Sequence, residues 1–236
     1  LTAAGRQLAD AAGDALTDLQ GVLQTLRATR GSDRHLRLTT LHSLANTWLM
    51  PRLPRFAAEH PDIGLEIETE PGLTRFDEGG PELGIRHGPG QWDGLAAVSL
   101  MDETLLPVAA PSLPWRSQLR APQDLVDRPL VADKSRYGWT DWFRAQGLHG
   151  VQPREAFRFT DSTDALQAAA AGLGVALARD RIVTPYFADG RLVPLPLPAL
   201  PARWGYSIVY PAHRRLSPQA QCFVDWLVAD VARLGP

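Results

Sequence analysis

Apolar positions in residues 1–30 recur at alternating steps of four and three, through Leu1, Gly5, Leu8, Ala12, Ala15, Leu19, Val22 and Leu26. This heptad seam, widened by Leu16 and Leu23, predicts one long amphipathic helix. Thr2 stands where an N-cap belongs, and Gly31 where the helix should stop. A helix of about 28 residues is roughly 42 Å long. With no intrachain partner in view, such a seam suits pairing with a second copy, or else packing against its own domain.

After a short hinge, Gly31-Ser32-Asp33-Arg34, the period changes. Leu36 and Leu38 alternate with Arg37 and Thr39, which predicts a strand ending near Leu41. Leu44, Trp48, Leu49, Leu53 and Phe56 then return to helical spacing, with Ser43 placed as the N-cap. Pro51 and Pro54 fall inside that pattern. Proline in a helix interior costs about 3 kcal/mol, so the helix should start late or kink. Pro61 ends it, and Ile63, Leu65 and Ile67 mark a half-buried strand. Residues 70–82 read as loop, and Leu83 to His87 as a short buried strand. Further strands are predicted at Leu95–Leu100, Thr104–Ala110, Leu130–Ala132, Ala156–Thr160 and Tyr206–Tyr210, with another beginning at Gly190–Val193. Helices are predicted around Trp139–Phe143, over 162–171 and 179–188, and at the C-terminus, where Phe223, Trp226, Leu227 and Val231 share a face. The Pro-rich stretch 194–201 reads as a linker along the surface.

One layout occurs twice. A strand leads into His42-Ser43 and a helix, and a second strand leads into Asp161-Ser162-Thr163-Asp164 and a helix. Free amides and the dipole of a helix start favour negative charge, and ligands sit at strand carboxyl ends in open α/β sheets. Ser43 is therefore either a simple cap or a ligand contact, roles that are compatible. Of Asp161 and Ser162, one should cap and the other stay free. Arg86 has a guanidinium suited to fork onto a carboxylate, of a ligand or of a nearby side chain.

Composition changes the picture little: 44% hydrophobic and 21% charged residues in a chain of 236 fit one or two folded domains. A net charge of −2 argues that this chain is not itself the part that grips DNA. Cys222 is the only cysteine, so an intramolecular disulfide is impossible, which fits a reducing compartment. No run of 18 apolar residues predicts a membrane helix, and no secretory leader pattern opens the chain. Leu1 is not an initiator methionine, so the chain is expected to begin inside a longer product.

Catalytic patterns are missing from the sequence: no G-x-S-x-G elbow, no H-E-x-x-H and no phosphate loop. The glycines of Ala168–Leu177 close a helix and lead into a strand, the reverse of a dinucleotide fingerprint. The six histidines lack metal-ligand spacing. Neighbours on a strand point to opposite faces, so His42 and Ser43 make a poor base–nucleophile pair. The expectation is a binding protein, not an enzyme, with no cofactor and no metal.

The segment TTLHSLANTWLMPRLPRFAAEHPDIGLEIET, residues 39–69, resembles the start of the effector-binding domain of LysR-type transcriptional regulators. Trp48 to Leu53, with Phe56 and His60-Pro61-Asp62-Ile63, is similar to the branch holding glycine-cleavage activators and β-lactamase regulators. Glu82-Leu83-Gly84-Ile85-Arg86-His87-Gly88 resembles a family strand bordering the cleft, with Glu82 in place of Asp and His87 in place of an aromatic. The resemblance covers nearly the whole chain. It implies an α/β fold of two Rossmann-like subdomains joined by two crossover strands, like type 2 periplasmic binding proteins, after a long linker helix. The implied division is a linker over 1–30, one subdomain of 33–102 plus 208–236, and a second of 103–207. The first crossing falls near Glu103, and the second lies near Tyr206. The implied ligand contacts are His42, Ser43, Leu44, Arg86, His87, Ser162, Thr163 and Tyr206. The implied partners are a small anionic or zwitterionic effector, further copies of the chain in a dimer or tetramer, and DNA through a winged helix-turn-helix outside this chain. The setting would be cytoplasmic, with no membrane. The rival reading is a periplasmic solute receptor for a small anion or amino acid, which shares the two-lobed sheet.

Overall fold

A computed structural model describes residues 2, 5, 35–70, 72, 76–77, 80–135 and 137–234. The heptad seam lies outside the described residues. At its start, the Thr2 hydroxyl accepts a hydrogen bond from the Gly5 amide at 3.1 Å, as a cap does.

The first strand, β1 (His35–Thr40), pairs in parallel with β2 (Gly64–Thr69) and β3 (Leu83–Gly88). β11 (Gly205–Pro211) runs antiparallel to β3 and to β4 (Leu95–Met101), giving the order β2-β1-β3-β11-β4. Leu36 and Leu38 of β1 are fully buried, while its neighbours Arg37 and Thr39 point the other way. Those leucines pack against Leu44, Trp48, Leu49 and Phe56 of a helical run, α1, and against Phe223 and Leu227 of the C-terminal helix. That helix (Pro218–Leu234) thus closes the core of the sheet that the chain began.

α1 spans four stretches: His42–Leu44, a π turn at Ala45–Leu49, a 3-10 turn at Met50–Arg52, and Leu53–Glu59. The prolines account for the changing pitch. Pro51 and Pro54 lack an amide to donate. The neighbouring Met50 amide reaches back five residues to Ala45, and the Leu53 amide three residues to Met50. The helix also begins earlier than the sequence suggests. Leu41 is its N-cap, without a side-chain bond, so Ser43 lies inside the first turn and is not the cap.

The second sheet takes β5 (Thr104–Ala109), β6 (Leu130–Asp133), β7 (Glu155–Phe159) and β8 (Val175–Arg179), with the short β10 (Leu200–Pro201), in the order β10-β5-β8-β6-β7. A further short strand, β9 (Val193–Pro194), pairs with β5. The Pro-rich stretch is therefore not a free surface linker. Its two ends pair with β5, Leu195 is buried, and the Pro198 carbonyl accepts the Trp142 indole N–H at 2.9 Å. Trp139, Trp142 and Phe143, on the helix Trp139–Ala145, are all core residues of this half. A helix at Ser162–Ala170 and one at Asp180–Ala188 cover Val131, Ala176 and Ala178 of the sheet.

The chain passes between the sheets twice, after Met101 and after Pro201. The two passages touch at Gly205, where any Cβ would fall on the Met101 carbonyl oxygen. Only glycine permits so close an approach.

Candidate functional site

A cleft of about 610 Å³ lies between the two sheets. Its first wall carries Leu41, His42 and Ser43 from the β1–α1 junction, Thr69 and Glu70 after β2, His87 near the end of β3 and Tyr206 near the start of β11. Its second wall carries Asp133, Lys134 and Ser135 after β6, Thr160, Asp161 and Ser162 after β7, and Arg179 at the end of β8. Trp204, on the second passage, closes one side. Strand ends and helix starts from both sheets thus converge, with the start of α1 packed beside those of the helices at 162 and 180.

Five of the eight residues singled out from sequence line this space: His42, Ser43, His87, Ser162 and Tyr206. The other three do not. Leu44 is fully buried in the first core. Arg86, one residue from His87 on β3, points to the far face, where it donates to Thr39 Oγ1 at 2.9 Å and to the Glu70 carbonyl at 3.4 Å. Burial pulls its guanidinium below the ordinary value, against the pull of the Glu70 carboxylate. Thr163 points inward, its hydroxyl buried without a hydrogen-bond partner among the described residues.

The Ser43 side chain is nearly enclosed, yet its hydroxyl makes no hydrogen bond among the described residues; only its carbonyl is used, by Thr47 Oγ1 at 2.8 Å. On the opposite wall Asp161 is the cap, accepting the Thr163 amide at 2.8 Å. Ser162 is consequently not left free, because its hydroxyl donates to Asp133.

Sequence reasoning missed the charges. Arg179 Nη1 lies 3.0 Å from Glu103 Oε1, and Nη2 lies 4.0 Å from Asp133 Oδ2. Burial alone would lower the Arg179 pKa, but the Glu103 and Asp133 carboxylates outweigh it and hold the guanidinium above its ordinary value. Burial likewise pushes the Asp133 carboxyl up, yet Arg179 and hydrogen bonds from Ser135 and Ser162 leave it below the usual range. Burial, then the Glu103 carboxylate, drives the Tyr206 hydroxyl well above its normal pKa. Among the described residues Lys134 has no hydrogen bond or ion pair, so its ammonium is the uncommitted cation of the cleft. Asp133 and Arg179 had a legible signal, since each ends an apolar strand, where ligands of α/β sheets sit. Among the described residues no group of three His, Cys, Asp or Glu is placed to hold a metal ion. No helix among them is long and apolar enough to cross a membrane.

Comparison with known proteins gives a consistent result. The family described as LysR substrate binding domain matches residues 29–232. An uncharacterized HTH-type transcriptional regulator of Sinorhizobium fredii is 34% identical over 98% of this chain and 77% of its own length. The AhcY transcriptional activator HvrB of Rhodobacter capsulatus is 33% identical over the same shares. Among solved structures, the effector domain of the regulator AmpR of Pseudomonas aeruginosa superposes with a TM-score of 0.75 at 28% identity, covering 84% of this chain and 96% of that one.

Proposed function

We propose a role for the cleft from one premise: this chain belongs to the LysR family of transcriptional regulators, as the substrate-binding domain. In that role it is the effector-sensing part of the regulator. The cleft between the sheets holds a small effector bearing at least one anionic group. Lys134 and the Ser43 hydroxyl receive that group, with His42, His87, Ser162 and Tyr206 around it. The observation that carries this reading is the pair of groups without a partner among the described residues, an exposed cation on one wall and a hydroxyl at the cleft surface on the other. A carboxylate reaching either would gain a charge-assisted hydrogen bond.

The two sheets act as two subdomains. The division is drawn at 102–103 and, on return, near 207–208; the pairing of Gly205–Ser207 with the first sheet favours a return point a few residues earlier. An effector that binds one arrangement of these halves better than another shifts their balance. The chain spans 77% of the length of the two regulators named above. In the whole protein the shift would pass to a DNA-binding segment outside this chain and to a dimer or tetramer, in the cytoplasm.

The test is a thermal-shift screen of this chain against amino acids, small carboxylates and aromatic acids, each beside its amide, which lacks the carboxylate. A ligand present at a hundredfold its dissociation constant stabilises the folded state by about 2.7 kcal/mol. Stabilisation by a carboxylate-bearing compound supports the reading. Stabilisation only by compounds without an anionic group contradicts it.

A further inference from the structure

Directly behind the cleft wall sits a carboxylate that the cleft itself does not expose. Glu103 lies on the first passage between the sheets, and its side chain is wholly buried. Three of its neighbours line the cleft, and they come from different parts of the fold. His87 Nε2, from β3 of the first sheet, is 3.1 Å from Glu103 Oε1 but is not aligned for a hydrogen bond. Arg179, from β8 of the second sheet, donates to the same oxygen at 3.0 Å. Tyr206, where the second passage rejoins the first sheet, faces the carboxylate closely enough to be raised by it. The backbone of the same residue ties the passages together, since the Glu103 carbonyl accepts the Ala202 amide at 2.9 Å. Next to it, the Thr104 amide donates to Asp180 Oδ1 at 3.1 Å and the Asp102 carbonyl accepts Arg181 Nε at 3.1 Å.

This cluster shares one carboxylate between the sheets. His87 Nε2 and Arg179 Nη1 both address Glu103 Oε1, and of the two only Arg179 meets it with hydrogen-bond geometry. The second oxygen, Oε2, is buried with no aligned donor among the described residues. A buried carboxylate approached by more than one donor admits more than one pairing.

We propose that Glu103 is the positioning residue of the cleft: one buried carboxylate fixes His87 from one sheet and Arg179 from the other, and so sets how the two halves stand relative to each other. A ligand that draws on His87, Arg179 or Tyr206 redistributes this shared carboxylate, and the halves move with it. The inference uses the cleft described above, but its test needs no ligand, so it stands or falls apart from the effector reading.

The test reads the separation of the halves. Spin labels are placed on exposed positions of the two halves, in β2 through Glu68→Cys and in the loop before β7 through Gln152→Cys, in a Cys222→Ser background, and the distance distribution is measured by double electron–electron resonance. With Glu103 intact one narrow distribution is expected. Glu103→Gln keeps the shape but removes the charge, and the width should roughly double as a second arrangement becomes populated. Losing one member of a buried pair can unfold a chain, so Glu103→Gln with Arg179→Met removes both charges and serves as the second variant. It too should broaden the distribution while circular dichroism shows a folded chain. Asp189→Asn, in a surface pair with Arg191, should leave the distribution unchanged. A folded double variant with the unaltered narrow distribution would overturn the proposal, as would equal broadening by Asp189→Asn.

Discussion

Ser43 illustrates how the position of a helix start can leave a side chain without a capping role. The helix start moves the capping position to Leu41, and the serine that would have capped is carried into the first turn, facing the cleft. Ser43→Ala should therefore leave the melting temperature of the ligand-free chain almost unchanged, while weakening a cleft ligand by about 1 kcal/mol or more, near tenfold. Calorimetric titration of the best compound into both proteins measures this. Arg179→Met should behave in the opposite way. Removing one partner strands buried carboxylates, at a cost of about 3–5 kcal/mol, which a urea melt will show. Tyr206 gives a pH signature. Its folded-state pKa is raised, so the folded chain holds that proton more tightly than the unfolded one. This contribution is fully present below the ordinary tyrosine value, about 10, and is lost as pH rises from there toward the folded value. In Tyr206→Phe the alkaline limb of the stability curve should be shallower.

Among the elements, the two strand-to-helix junctions differ despite their similar sequences. The junction at 161–163 is capped by a side chain and the one at 41–43 is not. Asp161→Ala should cost about 1 kcal/mol, read as a lower melting temperature, with little effect at the other wall. The strands, the C-terminal helix and the aromatic core around Trp142 were legible because period and burial agree along them. The failures have physical causes. On β3 alternation lets only one of Arg86 and His87 face the cleft, and it is His87. Leu44 and Thr163 follow a cleft-lining residue by one position and turn inward. The ends of the Pro-rich stretch pair with an exposed strand edge, a tertiary choice that composition does not encode. The Glu103–Arg179 pair joins residues 76 positions apart, and only the folded topology brings them together.

The molecule as a whole places its chemistry where two sheets face each other, with two passages as the only described chain connections between them. Such an arrangement serves a sensor, because a ligand touching both walls favours one relative placement of the halves. The central claim is that the effector bridges the sheets. Hydrogen–deuterium exchange, with and without the compound giving the largest thermal shift, tests it most directly. The predicted result is protection in both walls together, at residues 41–44 and at 133–135 with 160–163. Protection confined to one sheet, or lying away from the cleft, would contradict it.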